Sequence, residues 1–415
     1  MIKVCDSIMG SGKSESSISY MNEHPEKRFI YITPYLKESK RIKDSCSSSD
    51  FVEPSGEIKE FGFSKLQHAH HLIENHRNIT STHQLFGMYT KETLQLIADN
   101  GYTLIIDEDV ESFTEADVSE SDVRLLLRGG YIELNESGTA YRLVDDDYTS
   151  GRNLDTFRTL RSHELVKMVE DNKVKYYYWV FPSDLLSVFN DVIIMTYMFD
   201  CQDLKYYLDY IKADYVRIGV ERTESGKYHF TEDGGYTPDY VKELKDKIHI
   251  VDNEKLNAVG NSYHAVSKNW FSTHPDRAET LRKNLYNYFR NIHKDSPPEK
   301  KMWGTYIKGP KTKIRGKGFT NSFVVFNQKA TNIHSERNIL AFCANVFMPQ
   351  CKKDYLHSLG LVAKQDRYAL STIVQWIWRS AIRNGEEIWI YIPSRRMRTL
   401  LTDWIEEVSG GGSAG

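Results

Sequence analysis

The sequence predicts an α/β fold with two lobes, each built on a parallel sheet, and an insertion in the first lobe. Three observations carry this. Short apolar runs that read as buried strands, among them "IKVCDS", "RFIYITP", "DVIIMTYMFD" and "EIWIYIP", alternate with polar, helix-forming stretches, the pattern of parallel strands joined by helical crossovers. The alternation stops between Glu111 and about Asn190, a charge-rich stretch that includes Asp145-Asp146-Asp147, and then restarts. The length, 415 residues, suffices for two or three domains with cores of their own. The expected division is a first lobe from 1–110 and 191–205, an accessory insertion at 111–190, and a second lobe at 206–409. The closing "GGGSAG" (410–415) reads as a linker or tag.

The first strand leads into "SIMGSGKS" (Ser7–Ser14). Gly12-Lys13-Ser14 fits the end of the phosphate-loop pattern GxxxxGK[ST], with Ser7 in place of its first glycine. Gly10 adds a second position able to take positive φ or approach a ligand closely. "KSESSISYMNEH" opens a helix at Lys13, and the free N–H groups of a helix start stabilise polyphosphate charge. Met9, Gly10, Ser11, Gly12, Lys13 and Ser14 are therefore the expected nucleotide-binding residues. Lys13 is assigned to the β/γ-phosphates and the Ser14 hydroxyl to Mg²⁺.

"RFIYITP" (Arg28–Pro34) is the next strand, followed by a polar helix from about Lys37, and "NITSTHQLF" is a further strand-to-helix junction. "YTLIIDEDVES" is an apolar strand, Leu104–Ile106, ending in Asp107-Glu108. A P-loop NTPase needs a carboxylate at such a strand end to hold Mg²⁺, and a second one orients the attacking water. Asp107 is expected on the metal and Glu108 on the water, with ATP and Mg²⁺ as the cofactors. "DVIIMTYMFD" (Asp191–Asp200) is another strand, with a polar tip at Thr196.

In the second half, "YVRIGV", "KIHIVD", "NSFVVFN" and "EIWIYIP" are strand-like. Gln375, Arg379 and Arg383 are spaced i, i+4, i+8. On one helix they share a face, drifting about 40° per step, with Asn384-Gly385 as the stop. Planar cations in register with a glutamine suit phosphate. "KKMWGTYIKGPKTKIRGKGF" carries Lys300, Lys301, Lys308, Lys311, Lys313, Arg315 and Lys317 without an acidic residue. Its Trp303, Tyr306 and Phe319 are expected to stack on bases from a loop made mobile by Gly and Pro. "PSRRMR" (Pro393–Arg398) is a second basic cluster.

Composition sets bounds. Apolar residues make up 40% and charged residues 27%, ordinary for a soluble globular chain. No apolar run approaches the roughly 20 residues of a membrane span and no leader precedes Met1, so a cytoplasmic location is expected. The five cysteines form no CxxC pair, which points to neither a disulfide framework nor zinc. With a net charge of −3, any nucleic-acid surface is a local patch.

Together these motifs resemble those of superfamily 2 (DEAD/DEAH-like) helicases, particularly a phage-encoded branch related to the herpesvirus-type replication-origin-binding helicases. "SIMGSGKS" is similar to the AxxGxGK[ST] form of motif I, with Ser7 for Ala. "ITPYL" (Ile32–Leu36) stands at motif Ia, and "TSTHQLF" (Thr80–Phe86) resembles the next DNA-contacting motif. "DEDV" stands at motif II, although it is neither DEAD nor DEAH. "MTYMF" resembles motif III, and "FVVFNQKATN" (Phe323–Asn332) resembles motif V. "QWIWRSAIR" resembles motif VI, QxxGRxxR, with Trp378 for Gly and Arg383 one residue late, which leaves Arg379 as the better arginine finger.

The resemblance implies two RecA-like lobes with ATP between them and a nucleic-acid strand across their tops. It assigns catalytic roles to Glu108, Gln375, Arg379 and Arg383 and a coupling role to Thr196. Nucleic-acid contact falls to Thr33, Pro34, Thr82, His83, Thr331 and Asn332, joined by the basic Lys311, Lys313, Arg315 and Lys317. The implied partners are DNA, single-stranded or forked, or RNA, and proteins of replication or recombination in a bacterial host cell.

Three functions stay open on the sequence. They are an ATP-dependent helicase or translocase, a small-molecule kinase on the same P-loop, and an ATP-gated nucleic-acid-binding or loading module that does not unwind. DNA-stimulated ATP hydrolysis separates the first two. Slow hydrolysis with ATP-dependent DNA affinity marks the third.

Overall fold

The computed structural model describes residues 1–47, 50–135, 138–144, 154–170, 173–233, 235–326 and 332–410. The Asp145–Asp147 run, Thr331 and residues 411–415 lie outside the described residues. The chain divides into two compact units, Met1–Tyr236 with Pro349–Ala363, and Thr237–Met348 with Lys364–Gly415.

The described residues of the first unit form thirteen strands in chain order. Five precede the insertion: β1 (Ile2–Asp6), β2 (Arg28–Thr33), β3 (Phe51–Val52), β4 (Asn78–Thr82) and β5 (Tyr102–Asp107). The insertion contributes β6 (Phe113–Ala116), β7 (Ile132–Leu134), β8 (Ala140–Leu143), β9 (Glu164–Glu170) and β10 (Lys173–Val180). β11 (Asp191–Thr196), β12 (Tyr215–Arg222) and β13 (Tyr228–Thr231) follow. The main sheet runs β13-β12-β1-β11-β5-β2-β4-β3. Its neighbours are parallel except for the antiparallel β12–β13 hairpin. Val4, Ile30, Ile32, Leu104, Ile106 and Ile194 are fully buried, because parallel strands covered on both faces are apolar almost throughout.

Register matters for the site. Asp6 lies opposite Thr196 and Met195 opposite Asp107, so β1, β11 and β5 end level with one another. Ligands of open α/β sheets bind at such carboxyl ends.

Residues 113–180 form a separate antiparallel sheet, β6-β10-β9-β8-β7. Val123, Leu126, Phe157, Leu165 and Tyr177 share its core. The segment leaves after β5 and returns at β11, two strands that pair with each other, so its presence does not change the order of the main sheet.

The first unit extends further along the chain than the junction expected near residue 205. "YVRIGV" pairs with β1, from Ile2 opposite Tyr215 to Cys5 opposite Ile218. Without β12, β1 would be an exposed sheet edge, a liability that natural sheets cover. Pro349–Ala363 also belongs to this unit. Its helix Gln350–Ser358 places Tyr355 in a stack on Tyr178, 4.4 Å between centroids, and Lys352 in an ion pair with Asp203.

The second unit carries the parallel sheet β14-β17-β16-β15, with β14 (Ile248–Ile250), β15 (Lys301–Gly304), β16 (Ile339–Phe342) and β17 (Ile388–Tyr391). Among the described residues of "NSFVVFN", 321–326, none lies in a strand of this sheet, and Phe323 makes a single bridge, to Trp303.

Of the aromatic residues expected to stack on bases, Trp303 and Phe319 are core residues instead, and Tyr306 packs half-buried against the same core. Trp303 and Phe319 are 0% and 1% exposed, and the Trp303 indole N–H donates to the Phe319 carbonyl at 2.7 Å. The Tyr306 hydroxyl donates to the Asn345 carbonyl at 2.7 Å. The segment is ordered by this burial and by the helix Pro310–Ile314. Two of the three arginines of "PSRRMR" are also engaged, while Arg395 is exposed. Arg396 binds Asp366 and the Val346 carbonyl, and Arg398 binds the Ile392 and Pro393 carbonyls. Among the described residues, no helix is long and apolar enough to cross a membrane.

Candidate nucleotide-binding site

β1 ends at Asp6, the chain turns through Ser7–Gly12, and a helix runs from Lys13 to Glu23. Gly10 and Gly12 take φ of 82° and 92°, a left-handed backbone that suits glycine. Gly12 is the residue immediately before the helix, so the N–H groups of Lys13 and Ser14 are among those a helix start leaves without intrahelical partners. The Lys13 side chain is 9% exposed and folds back over the loop, its ammonium donating to the Ser7 and Ile8 carbonyls. Ser14 is half-buried at the same helix start.

Two consecutive carbonyls of β11 anchor both motifs. The Ser7 N–H donates to the Thr196 carbonyl at 3.0 Å, and the Glu108 N–H donates to the Met195 carbonyl at 2.9 Å. The phosphate loop and the Asp107-Glu108 pair are thus held on one strand end, as the level register of β1, β11 and β5 requires. The Thr196 hydroxyl donates to the Gln202 side chain, and Gln202 donates to the Tyr197 carbonyl at 2.7 Å. Thr196 therefore touches the loop on one side and the approach to helix Asp203–Tyr210 on the other.

Asp107 is 8% exposed. Burial, then the Glu108 and Glu38 carboxylates, push its pKa up to about 7 against the opposing pull of Lys13. Glu108 has φ 66°, a left-handed backbone that a non-glycine residue holds at a cost of order 1–3 kcal/mol, typically at functional sites. The hydroxyls of Ser11, Thr33 and Ser81 are buried without a hydrogen-bond partner among the described residues. Unpaired buried hydroxyls are costly, and one of these three lies in the phosphate loop itself.

The residues fit a magnesium–nucleoside triphosphate. An ammonium resting on carbonyls can transfer to phosphate oxygens, and a serine and a carboxylate provide hard oxygen donors for Mg²⁺. Such a metal takes its remaining ligands from phosphate and water. Among the described residues there is no cluster of three or more His, Cys, Asp or Glu placed to hold a metal.

A pH dependence follows. The folded protein keeps the Asp107 proton up to about pH 7, whereas an unfolded Asp releases it near pH ~3.9. The folded state binds more protons in that window, so stability without nucleotide falls as pH rises from about 4 to about 7. If Asp107 holds Mg²⁺, it would do so only as the carboxylate. Mg²⁺ affinity in the nucleotide complex should rise about tenfold per pH unit up to about pH 7 and then level off. Calorimetric titrations from acid to mildly alkaline pH check this. An Asp107→Asn variant with the same slope as wild type would show that another group titrates.

The other assigned residues are placed as follows. Thr33 and Pro34 stand at the carboxyl end of β2, with Thr33 buried. Thr82 caps the helix that follows β4 by accepting from the Leu85 N–H, and His83 Nε2 donates to the Asp107 carbonyl at 2.8 Å. His83 thus holds the end of β5 in place. Asn332 lies in a short turn, Asn332–His334. Lys311 lies over the Phe323 ring at 4.1 Å, and Lys313 donates to the Phe271 carbonyl at 2.7 Å. Lys308, Arg315 and Lys317 are exposed.

The shared helix face of Gln375, Arg379 and Arg383 does not exist. The helix Gln365–Ile377 stops two residues before Arg379, because Ser380 takes an extended backbone and returns its hydroxyl to the Ile377 carbonyl. Gln375 donates to the Ser371 hydroxyl at 3.2 Å. Arg379 is 3% exposed and donates to the Val325 and Phe326 carbonyls at 2.6 and 3.2 Å. Arg383 is exposed on a separate short helix, Ala381–Asn384.

One contact of the acid triplet escaped the sequence reading. Asp109, the third acid of the triplet, accepts from the Asp203 and Leu204 N–H groups at 3.1 Å each and so caps helix Asp203–Tyr210. The available signal was an acid placed to serve as a helix N-cap, but the pairing spans 94 residues. Burial and the Asp203 carboxylate push its carboxyl above the usual range.

The YonV C-terminal Rossmann-like domain family matches residues 242–405. Over 411 residues the chain is 38% identical to the SPbeta prophage-derived uncharacterized protein YonV of Bacillus subtilis (strain 168), covering 98% of both chains. The chain belongs to the YonV family. The Rossmann-like match within this family falls on the four-stranded parallel sheet of the second unit. The structure of S. tokodaii Xpd4 resembles the chain with 9% identity over 97% of this chain and 94% of that one, at a TM-score of 0.45. A DEAD box protein from Methanococcus jannaschii resembles it with 13% identity over 98% and 86%, at a TM-score of 0.25. Likenesses of this size add nothing to what the sheet topology of this YonV-family chain already establishes.

Proposed function

We propose that the first unit binds and hydrolyses ATP with Mg²⁺, and that the protein is a superfamily 2-type motor acting on nucleic acid in phage replication or recombination. The observation that carries the reading is the anchoring of both the phosphate loop and Glu108 on the consecutive carbonyls of Met195 and Thr196. In this scheme Lys13 leaves the Ser7 and Ile8 carbonyls for the β/γ-phosphates, and the Lys13 and Ser14 N–H groups bind phosphate at the helix start. Ser14 and Asp107 would hold Mg²⁺, which would supply charge neutralisation at the phosphate oxygens. Glu108 orients the attacking water. Thr196 passes the change to helix Asp203–Tyr210 through Gln202. The exposed Lys308, Arg315 and Lys317 contact phosphates of the strand.

The second reading, an ATP-gated nucleic-acid-binding module with slow hydrolysis, is favoured by one observation. Arg379 spends its guanidinium on two carbonyls of its own unit, and a finger must be released from them before it can act. Turnover of ATP measured alone and with single-stranded DNA, duplex DNA and RNA tests both. The motor reading expects strong stimulation by one of these. Unstimulated slow turnover with ATP-dependent DNA affinity would replace it with the gated module, and the absence of ATP binding would end both.

A further inference from the structure

We infer that the β12–β13 hairpin provides a nucleobase platform beside the phosphate loop, with Tyr228 stacking on the base of the bound nucleoside triphosphate and Tyr236 and Arg222 holding that ring in place. The inference rests on the proposed triphosphate site and goes beyond it, naming the residues that recognise the rest of the nucleotide.

The juxtaposition is direct. A Cβ built on Gly12 would lie 2.2, 2.5 and 2.7 Å from Cδ1, Cε1 and Cγ of Tyr228. The Tyr228 ring therefore rests on the last glycine of the loop, the residue that opens the phosphate-binding helix. That close approach, together with φ of 92°, gives Gly12 two independent reasons to be glycine.

The ring is half-buried, so it is fixed on one side and accessible on another. Tyr236 meets it edge-on at 5.8 Å and 64°. The Arg222 guanidinium lies 5.7 Å from the centre of Tyr228 and 5.9 Å from that of Tyr236, and donates to the Tyr236 hydroxyl at 3.4 Å. A guanidinium over both faces stiffens the pair at little cost, and a stiff ring loses little entropy on stacking. Tyr228 packs against the edge of the core behind β1, and the contacts with Tyr236 and Arg222 come on top of that packing. Ile218 and Val220 of β12 pack into the same core. Stacking on a ring rewards a large π-face more than a particular base, so purine nucleoside triphosphates are the expected ligands.

The test compares affinities for Mg²⁺ with a non-hydrolysable ATP analogue and for Mg²⁺ with inorganic tripolyphosphate, which lacks a base. Base–aromatic stacking of about 1–3 kcal/mol corresponds to about 5- to 150-fold in affinity. Tyr228→Ala should lose a factor in this range for the ATP analogue while tripolyphosphate affinity stays within about twofold, and Tyr228→Phe should keep both. Equal losses for the two ligands would make Tyr228 a support for Gly12 and overturn the platform, as would no loss for either. Wild-type protein that binds tripolyphosphate but gains nothing from the base would overturn the platform alone. Protein that binds neither would remove the phosphate site and the platform with it.

Discussion

Lys13→Ala should yield a folded protein whose ATP turnover has dropped to background and whose melting temperature no longer responds to Mg–ATP. The lysine is 9% exposed and lies folded over the loop. Its removal costs the hydrogen bonds to the Ser7 and Ile8 carbonyls, a loss of about 1.5–3 kcal/mol for bonds to a charged donor. The buried centre of the main sheet in the first unit, with Val4, Ile30, Leu104 and Ile194, is untouched. The functional loss is far larger, because no other basic side chain in the loop can follow the β/γ-phosphates into the transition state. Circular dichroism and thermal unfolding establish the fold, and a coupled assay reads hydrolysis. Undiminished hydrolysis by a folded variant would remove the P-loop assignment.

The second large effect should come from Glu108→Gln. On the proposed reading Ser14 and Asp107 would still hold Mg²⁺ in that variant, so ATP affinity should stay close to wild type, but the water would lose its orienting base and the rate should fall by about 10²–10⁴-fold. The backbone allows a complementary measurement. Glu108 is held at φ 66°, so Glu108→Gly should relieve strain and raise stability, by about 1 kcal/mol or somewhat more, while turnover falls as it does for Gln. A protein that is more stable and less active is the signature of a residue kept for chemistry at the expense of folding. If Glu108→Gln hydrolyses ATP at the wild-type rate, another group orients the water.

Much of the first unit was legible because its signals are local. β1, β2, β4, β5 and β11 each appear as an apolar run with a polar tip, and the tips are where the site forms. Glycines next to Lys13-Ser14 and acids after Ile106 report their positions without help from distant residues. What the sequence did not reveal depends on pairing across long separations. "YVRIGV" looked like the start of a second lobe because nothing in it announces β1 as its neighbour. Trp303, Tyr306 and Phe319 carry the same composition whether they face a nucleic acid or a core, and the core claims them. The i, i+4, i+8 spacing of Gln375, Arg379 and Arg383 has a geometric meaning only on a continuous helix, and the extended backbone of Ser380 interrupts it.

The helix Gln350–Ser358 has a consequence for how the chain is made. It belongs to the first unit, yet the ribosome synthesises it only after the whole of Thr237–Met348. At about 5–20 residues per second, roughly 6–25 s separate the completion of Tyr236 from that of Ala363. During that interval the Tyr178 ring lacks its stacking partner and Asp203 lacks Lys352. The nascent first unit therefore waits with an aromatic surface uncovered while its neighbour begins to fold. Birth order and structural order disagree in this chain, and the exposed face of the insertion is where a chaperone would find it.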